Sequence, residues 1–448
     1  MAHLTAIYAF FGCFAMGLSL FWGPHFRYLG LINLRNIFVI GFIYFQFYGV
    51  IYPLWHNDFG EYLVVTPERT AGRFVAYSLL FLVPFFLVYN ATLKKRVRSP
   101  KPPAFRADPG GTYLIVIALT LGVVAYVGRF SGFIPIIGPM LNHVLTGAAS
   151  ATCCLAVYVI VRNLHQLPLV ALSFAVILLG MFNAIVADFS RRNLVGISAA
   201  CLWGLYFVRP TALKSVKLWV VAAPLAIVAI TLVGAFSQIR ADREIRGQGA
   251  ARIQGIIDSV SVGAFTSLFA LPDTGIATLW LIDSRFDDFE YDHLFMGRYI
   301  VLHVVPRQWL DDKPKPLSHR IPTEAGKRGV DLSFHTVGPG IIGHAAADGG
   351  YYAALLYGIL MGWVIACLDG ILARNMRSPF AVACMGNTLG HMLGLSRGES
   401  SIFLGLILIG IFSNLLIFYA IDRVLRDRYP IRWDYALPPH RPAVTGYA

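Results

Sequence analysis

Eleven stretches of this chain are long and apolar enough to cross a bilayer: roughly 4–22, 37–54, 71–92, 112–128, 134–161, 167–187, 193–208, 218–236, 351–373, 379–396 and 401–421. A spanning helix needs about 20 mostly apolar residues, and few other folds can absorb so many runs of that length. With 57% hydrophobic and 14% charged residues, the chain exposes more apolar side chains than a soluble core can hide. A membrane β-barrel would instead alternate apolar and polar residues in segments of about 10, and that alternation is missing. The sequence therefore predicts an all-α, polytopic membrane protein with about 11 transmembrane helices. The short 193–208 run and the glycine-rich 379–396 run, which carries His391, leave the count between ten and twelve. The first run lacks a basic leader and a cleavage site, and reads as a retained span.

A net charge of +13 raises the question of nucleic acid, but no nucleic-acid motif accompanies the basic residues. Their placement beside the apolar runs has a simpler meaning. Counting along alternating loops, 19 Lys and Arg fall on one face: Arg27, Arg35, Lys94, Lys95, Arg96, Arg98, Lys101, Arg106, Arg162, Arg209, Lys214, Lys217, Arg374, Arg377, Arg423, Arg426, Arg428, Arg432 and Arg441. The short loops opposite hold only Arg69, Arg73, Arg129, Arg191, Arg192 and Arg397. The first face is then cytoplasmic by the positive-inside rule. The six cysteines all lie in apolar runs without metal-type spacing, so they read as small buried residues rather than as disulfides or a zinc site.

The same alternation places one long polar segment, 237–350, outside the cytoplasm, with 12 basic and 14 acidic residues. The chain then divides into N-terminal spans (1–236), this large extracytoplasmic loop (237–350), C-terminal spans (351–421) and a proline-bearing cytoplasmic tail (422–448). Within the loop, the apolar pieces 256–269 and 275–282 are too short to span, and they read as interfacial or re-entrant helices at headgroup level.

Four groups of residues can carry chemistry. Arg240, Arg243 and Arg246 are spaced by three, which aligns their guanidinium groups on one helical stripe suited to phosphate; a snorkelling helix end has the same pattern. In HVVPRQWLDDKPKP, prolines stiffen a turn carrying Arg307 and Lys313, although Asp311 and Asp312 can neutralise it; Arg298 and Arg320 flank it. His335 and His344 follow, with Asp348 four residues beyond His344. On a helix that spacing lets the carboxylate orient the imidazole as a general base, while a hydrogen-bonded structural residue is the more frequent use of a lone histidine near a membrane surface. A metal site from His335, His344 and Asp348 matches no familiar spacing, so no metal or other cofactor is expected. Last, Arg397 and Glu399 in LSRGESS lie between the final two spans on the face of the large loop, either closing a site or ending two helices in water.

The sequence GRYIVLHVVPRQWLDDKPKP, the arginine-rich start of the loop, a histidine or acid before a glycine-rich helix start, and the late LSRGES resemble Wzy-type O-antigen and exopolysaccharide repeat-unit polymerases. The likeness covers about 237–401; earlier residues match only in hydropathy. Where the family usually has Gly-Glu, an aromatic and then Asn-Phe-Gly, this chain has His344 at the Glu, Asp348 at the Asn and Gly349 at the Phe. The resemblance implies a GT-C-like membrane glycosyltransferase in a bacterial inner membrane, acting at the periplasmic face on undecaprenyl-diphosphate-linked oligosaccharides, beside chain-length regulator and flippase proteins. Such a transfer needs one base and several cations. On that reading His344 is the base, Arg240, Arg243 and Arg307 hold diphosphate, and Arg397 takes the second lipid-linked substrate or the leaving group; Arg246, Arg298, Lys313, Arg320, His335 and Asp348 complete the binding site. Two rivals stand: an O-antigen ligase acting on lipid A core, which the same residues allow, and a transporter, whose signature is repeats, broken helices and mid-span charges.

Overall fold

A computed structural model describes residues 1–60, 62–98, 110–128, 137–184, 191–209, 231, 234–235, 254–255, 258–261, 263, 273–284, 292, 295–305, 309–310, 313–325 and 336–426. All regular structure among them is helical. Six helices are long and apolar enough to cross a membrane: Ala2–Leu29, Leu34–His56, Pro67–Arg98, Val144–Arg162, Gly350–Arg374 and Ser400–Ile421; three shorter apolar helices accompany them, Gly111–Val127, Leu167–Phe182 and Asn193–Val208. The chain is thus a multi-pass, all-helical membrane protein. The 218–236 run falls almost wholly outside the described residues. The 379–396 run is not one helix but two short ones, α15 (Pro379–Gly386) and α16 (Leu389–Gly394), interrupted at Asn387 and Thr388, which are buried.

The core is organised on α5 (Pro67–Arg98) and α14 (Gly350–Arg374). Gly358 faces Phe81 and Gly362 faces Phe85, so the two helices run parallel. A G-x-x-x-G pair lets backbones approach closely where lipid offers no hydrophobic drive to associate. A Cβ at Gly358 would fall 2.3 Å from the Phe81 carbonyl oxygen, and at Gly362 2.5 Å from that of Phe85. Gly358→Ala is therefore expected to force the helices apart at a cost of about 1–3 kcal/mol, the usual range for overpacking; a thermal midpoint equal to the wild type's would show that the contact is loose.

Helix α3 (Leu34–Phe42), a π-helical turn (Ile43–Tyr48) and α4 (Gly49–His56) form one antiparallel rod beside α5. Rings pair along it, with Phe38 on Phe85 at 5.1 Å, Phe42 on Phe81 at 5.7 Å and Phe47 on Phe74 at 6.3 Å. At its start, Asp369 of α14 accepts from the backbone N–H groups of Leu34 and Arg35 and from the Tyr89 hydroxyl, at 3.0, 3.2 and 2.7 Å. The carboxylate thereby satisfies donors that a helix N-terminus otherwise leaves open. Arg35 is buried here, donating to the Ser19 carbonyl and the Asn36 side chain and lying over the Phe86 ring. It packs the core rather than standing as a solvated orienting charge.

At the other end, α10 (Asp273–Ser284) is buried from Thr274 to Ile282 except at half-buried Ile276. It packs inside the bundle instead of lying on its surface as an interfacial helix would. Asp283 accepts from the backbone of Val65 and Thr66 and from the hydroxyls of Thr66 and Thr70, tying α10 to the start of α5. Its other end touches the rod: a Cβ on Gly275 would lie 2.3 Å from the Gly49 carbonyl oxygen. The 256–269 piece lies largely outside the described residues.

Candidate functional site

Three short elements meet at the α10 end of the bundle: α12 (Leu317–Glu324), α13 (Gly340–Asp348) and the turn between α16 and α17 (Ser400–Arg426). Glycines make the junction possible. Gly340 has φ +63°, a conformation L side chains rarely adopt, and a Cβ there would lie 2.1 Å from the Ser396 carbonyl oxygen. Its N–H donates to the Gly398 carbonyl at 3.1 Å, while a Cβ on Gly338 would meet Gly398 at 2.4 Å. From the π-helical turn, Gln46 donates to the carbonyls of Pro339 and Ser396 at 3.2 and 2.8 Å. Thr278 of α10 donates to the Pro339 carbonyl at 2.7 Å. One buried amide thus fixes both halves of the junction to the rod.

This junction brings His344 to Glu399. The imidazole Nε2 lies 3.0 Å from Glu399 Oε1, with the two side chains 0% and 4% exposed. Glu399 also accepts from the Ser318 backbone N–H at 2.7 Å and from the Ser401 hydroxyl at 2.8 Å. Burial alone drives the His344 pKa down, but Glu399, Asp348 and Asp292 outweigh it, so the imidazole is held above its ordinary value. Burial pushes Glu399 up, yet His344 and the two donors prevail, and its carboxyl is held below its usual range. The pair therefore favours imidazolium and carboxylate.

Asp348 sits on the face of His344, as the i to i+4 spacing implies, but the carboxylate within 3.0 Å of the imidazole is that of Glu399. Asp348 Oδ2 accepts from the Met296 N–H at 2.8 Å and from the Tyr357 hydroxyl. Burial raises the Asp348 pKa, against the pull of His344 and these donors. Arg320 of α12 donates to Asp292 at 2.7 Å and to Glu324 at 3.0 Å, and the Asp292 N–H donates to the Ala347 carbonyl at 3.2 Å. Arg320 is thus tied by carboxylates to the end of α13.

Among the expected residues, His344, Asp348 and Arg320 gather here. Arg298 is exposed on α11 (Phe295–Val304), and Lys313 donates to the Val305 carbonyl at 2.8 Å. Arg397 is exposed and turns from Glu399 to lie over the Phe45 ring at 5.4 Å. Arg240, Arg243, Arg246, Arg307 and His335 lie outside the described residues. Among the described residues, no three His, Cys, Asp or Glu converge as a metal site.

Neither a protein-family model, nor a curated protein, nor a solved structure matches this chain. Function rests on the site alone. Asp292, Tyr357 and Gln46 carry no motif that marks them. Glu399 does stand in a quoted motif, LSRGES, but its partner is 55 positions away, and no spacing rule links residues that far apart.

Proposed function

We propose that the protein is a membrane glycosyltransferase of the repeat-unit polymerase kind, elongating lipid-diphosphate-linked glycans at the extracytoplasmic face of a bacterial inner membrane. The observation that carries this reading is the His344–Glu399 pair, because it joins the two segments on which the resemblance rests. A carboxylate holding one imidazole nitrogen fixes the ring's orientation and raises its basicity, the arrangement of a general base. Among the described residues, neither ring nitrogen of His344 has a partner in hydrogen-bond geometry; Nε2 meets Glu399 as an ion pair, and Nδ1 is the atom we assign to the acceptor hydroxyl. That nitrogen is buried, so substrate reaches it only when the packing around His344 opens. The GT-C-like architecture with about eleven spans belongs to the same reading. As diphosphate leaves, cations must take up its charge, a role assigned to Arg240, Arg243, Arg307 and Arg397.

The decisive experiment is the lipid-linked glycan profile of cells lacking this protein. Single repeat units accumulating on the carrier support a polymerase, whereas full-length chains left unattached mean a ligase, which would overturn this reading. Two observations favour a transporter: α15 and α16 form a broken helix, and Arg35 and Asp369 are ionisable residues buried in spans. Uptake of a radiolabelled solute by proteoliposomes, with normal glycan length in the deletion strain, would select it instead.

A further inference from the structure

Gly410 falls at the middle of the span Ser400–Ile421, the depth at which hydrocarbon surrounds the bundle, and a polar cluster stands around it. Asn414 Nδ2 donates to the Gly410 carbonyl at 2.8 Å. Asn387, at the break between α15 and α16, donates to the same oxygen at 3.1 Å. Helix α7 (Ile137–Arg162) closes the third side: a Cβ on its Gly147 would lie 3.2 Å from Asn414 Nδ2 and 3.9 Å from the Asn387 amide carbon.

The shared acceptor fixes both amides. Reversing either would set its oxygen against the Gly410 oxygen, two acceptors with no proton between them. Asn414 Oδ1 is thereby turned away from Gly410. Its residue is 0% exposed, and the oxygen has no hydrogen-bond partner among the described residues. A buried acceptor left so is costly and calls for a donor or a positive charge. The hydroxyls of the cluster are already spent: Thr388 donates to the Met385 carbonyl at 2.8 Å and Ser413 to the Gly410 carbonyl at 3.3 Å.

We propose that this cluster holds a monovalent cation, Na⁺ or K⁺, with Asn414 Oδ1 as a ligand and the oxygens of Asn387 and Thr388 beside it. Side-chain and carbonyl oxygens suit a hard cation. Helices α7, α15 and α16 carry no Asp or Glu, and α17 has only Asp422, beyond the span, so a divalent ion would lack the charge that offsets its desolvation. Asn387 is the residue that ends α15, and the carbonyl end of a helix carries partial negative charge. Interrupted spans coordinate Na⁺ with such ends. The ion is a resident one that ties α15 and α16 to α17, and it rests neither on glycosyl transfer nor on transport.

The test uses the full-length protein in detergent, with sodium, potassium and choline chlorides exchanged at constant ionic strength. The thermal midpoint is expected to rise saturably, by about 2–5 °C, with Na⁺ or K⁺ relative to choline, because a ligand bound only by the folded state stabilises it by mass action. Equilibrium binding of radioactive sodium, or of rubidium in place of potassium, should saturate near one ion per chain. Asn414→Leu, similar in size but without the oxygen, should weaken binding by about tenfold or more and flatten the salt response, while its midpoint in choline stays close to the wild type's. Should that variant fail to fold, Asn387→Ala is read in the same way. Responses to Na⁺ and K⁺ no different from choline mean that water alone serves the cluster, and they overturn the proposal. Unchanged binding by the variant overturns it too, since the ion then sits elsewhere.

Discussion

Glu399→Ala is expected to destabilise the protein by about 3–5 kcal/mol, the cost of breaking a buried ion pair by removing one partner. The variant strands an imidazolium in a fully buried place and leaves the Ser318 N–H and the Ser401 hydroxyl without their acceptor. Thermal unfolding in detergent measures it, and a double-mutant cycle with His344→Leu isolates the pair. The His344→Leu, Glu399→Leu double variant should recover much of the loss, because replacing both buried charges by apolar groups is often close to neutral. A single-variant loss under about 1 kcal/mol, the range of exposed pairs, would mean that water reaches the pair in the folded state.

The same pair sets a pH window. His344 is raised above its ordinary value, so its contribution is fully present below the unfolded histidine pKa and is lost as pH rises through the higher folded value. Glu399 is lowered, so its contribution is present above the unfolded glutamate pKa and is lost as pH falls through the lower folded value. Stability from the pair is therefore greatest between about pH 4.3 and 6.5, the two unfolded values, and declines on both sides. Glu399→Gln should remove the alkaline decline.

His344→Gln is expected to reduce glycan elongation by about 10²–10⁴-fold, the usual contribution of a general base, while the protein remains in the membrane. Glutamine retains a polar side chain opposite Glu399 but cannot accept a proton. In the wild type, elongation should rise with pH through the raised His344 pKa, since only the neutral imidazole accepts the acceptor's proton. Glu399→Gln should shift that rise to lower pH, a displacement that a purely structural glutamate would not produce. Elongation by His344→Gln within a few-fold of wild type would remove this residue from the chemistry and return it to the role of a buried structural histidine.

Much of this architecture was legible in the chain. Long apolar runs have few outlets other than spanning helices, because in hydrocarbon a backbone must satisfy its own hydrogen bonds; the six long apolar helices and the three shorter ones all fall on such runs. The exception at 379–396 is instructive. Its apolar composition meets a span's requirement, yet Asn387 is held by its own bond to the Gly410 carbonyl at 3.1 Å and the helix breaks beside it. Hydropathy registers how apolar a segment is, not whether a neighbouring helix offers a polar residue a better partner. Likewise 275–282 was visible as apolar and short, but only its packing in the bundle, down to contact with Gly49, decided that all of it but half-buried Ile276 is buried.

The candidate site divides in the same way. Spacing on one helix put Asp348 on the face of His344, since local periodicity acts over four residues. It could not reveal that Asp348 is engaged by Tyr357 and Met296, or that Glu399 arrives from the far side of three helices. Run length and composition were enough to show that the chain spans a membrane, and which segments are too polar to do so. Tertiary structure alone decided which acid meets the imidazole, because that contact depends on glycine backbones at 338, 340 and 398 closing to a distance no side chain allows, and such closeness is a property of the folded pair and not of either segment.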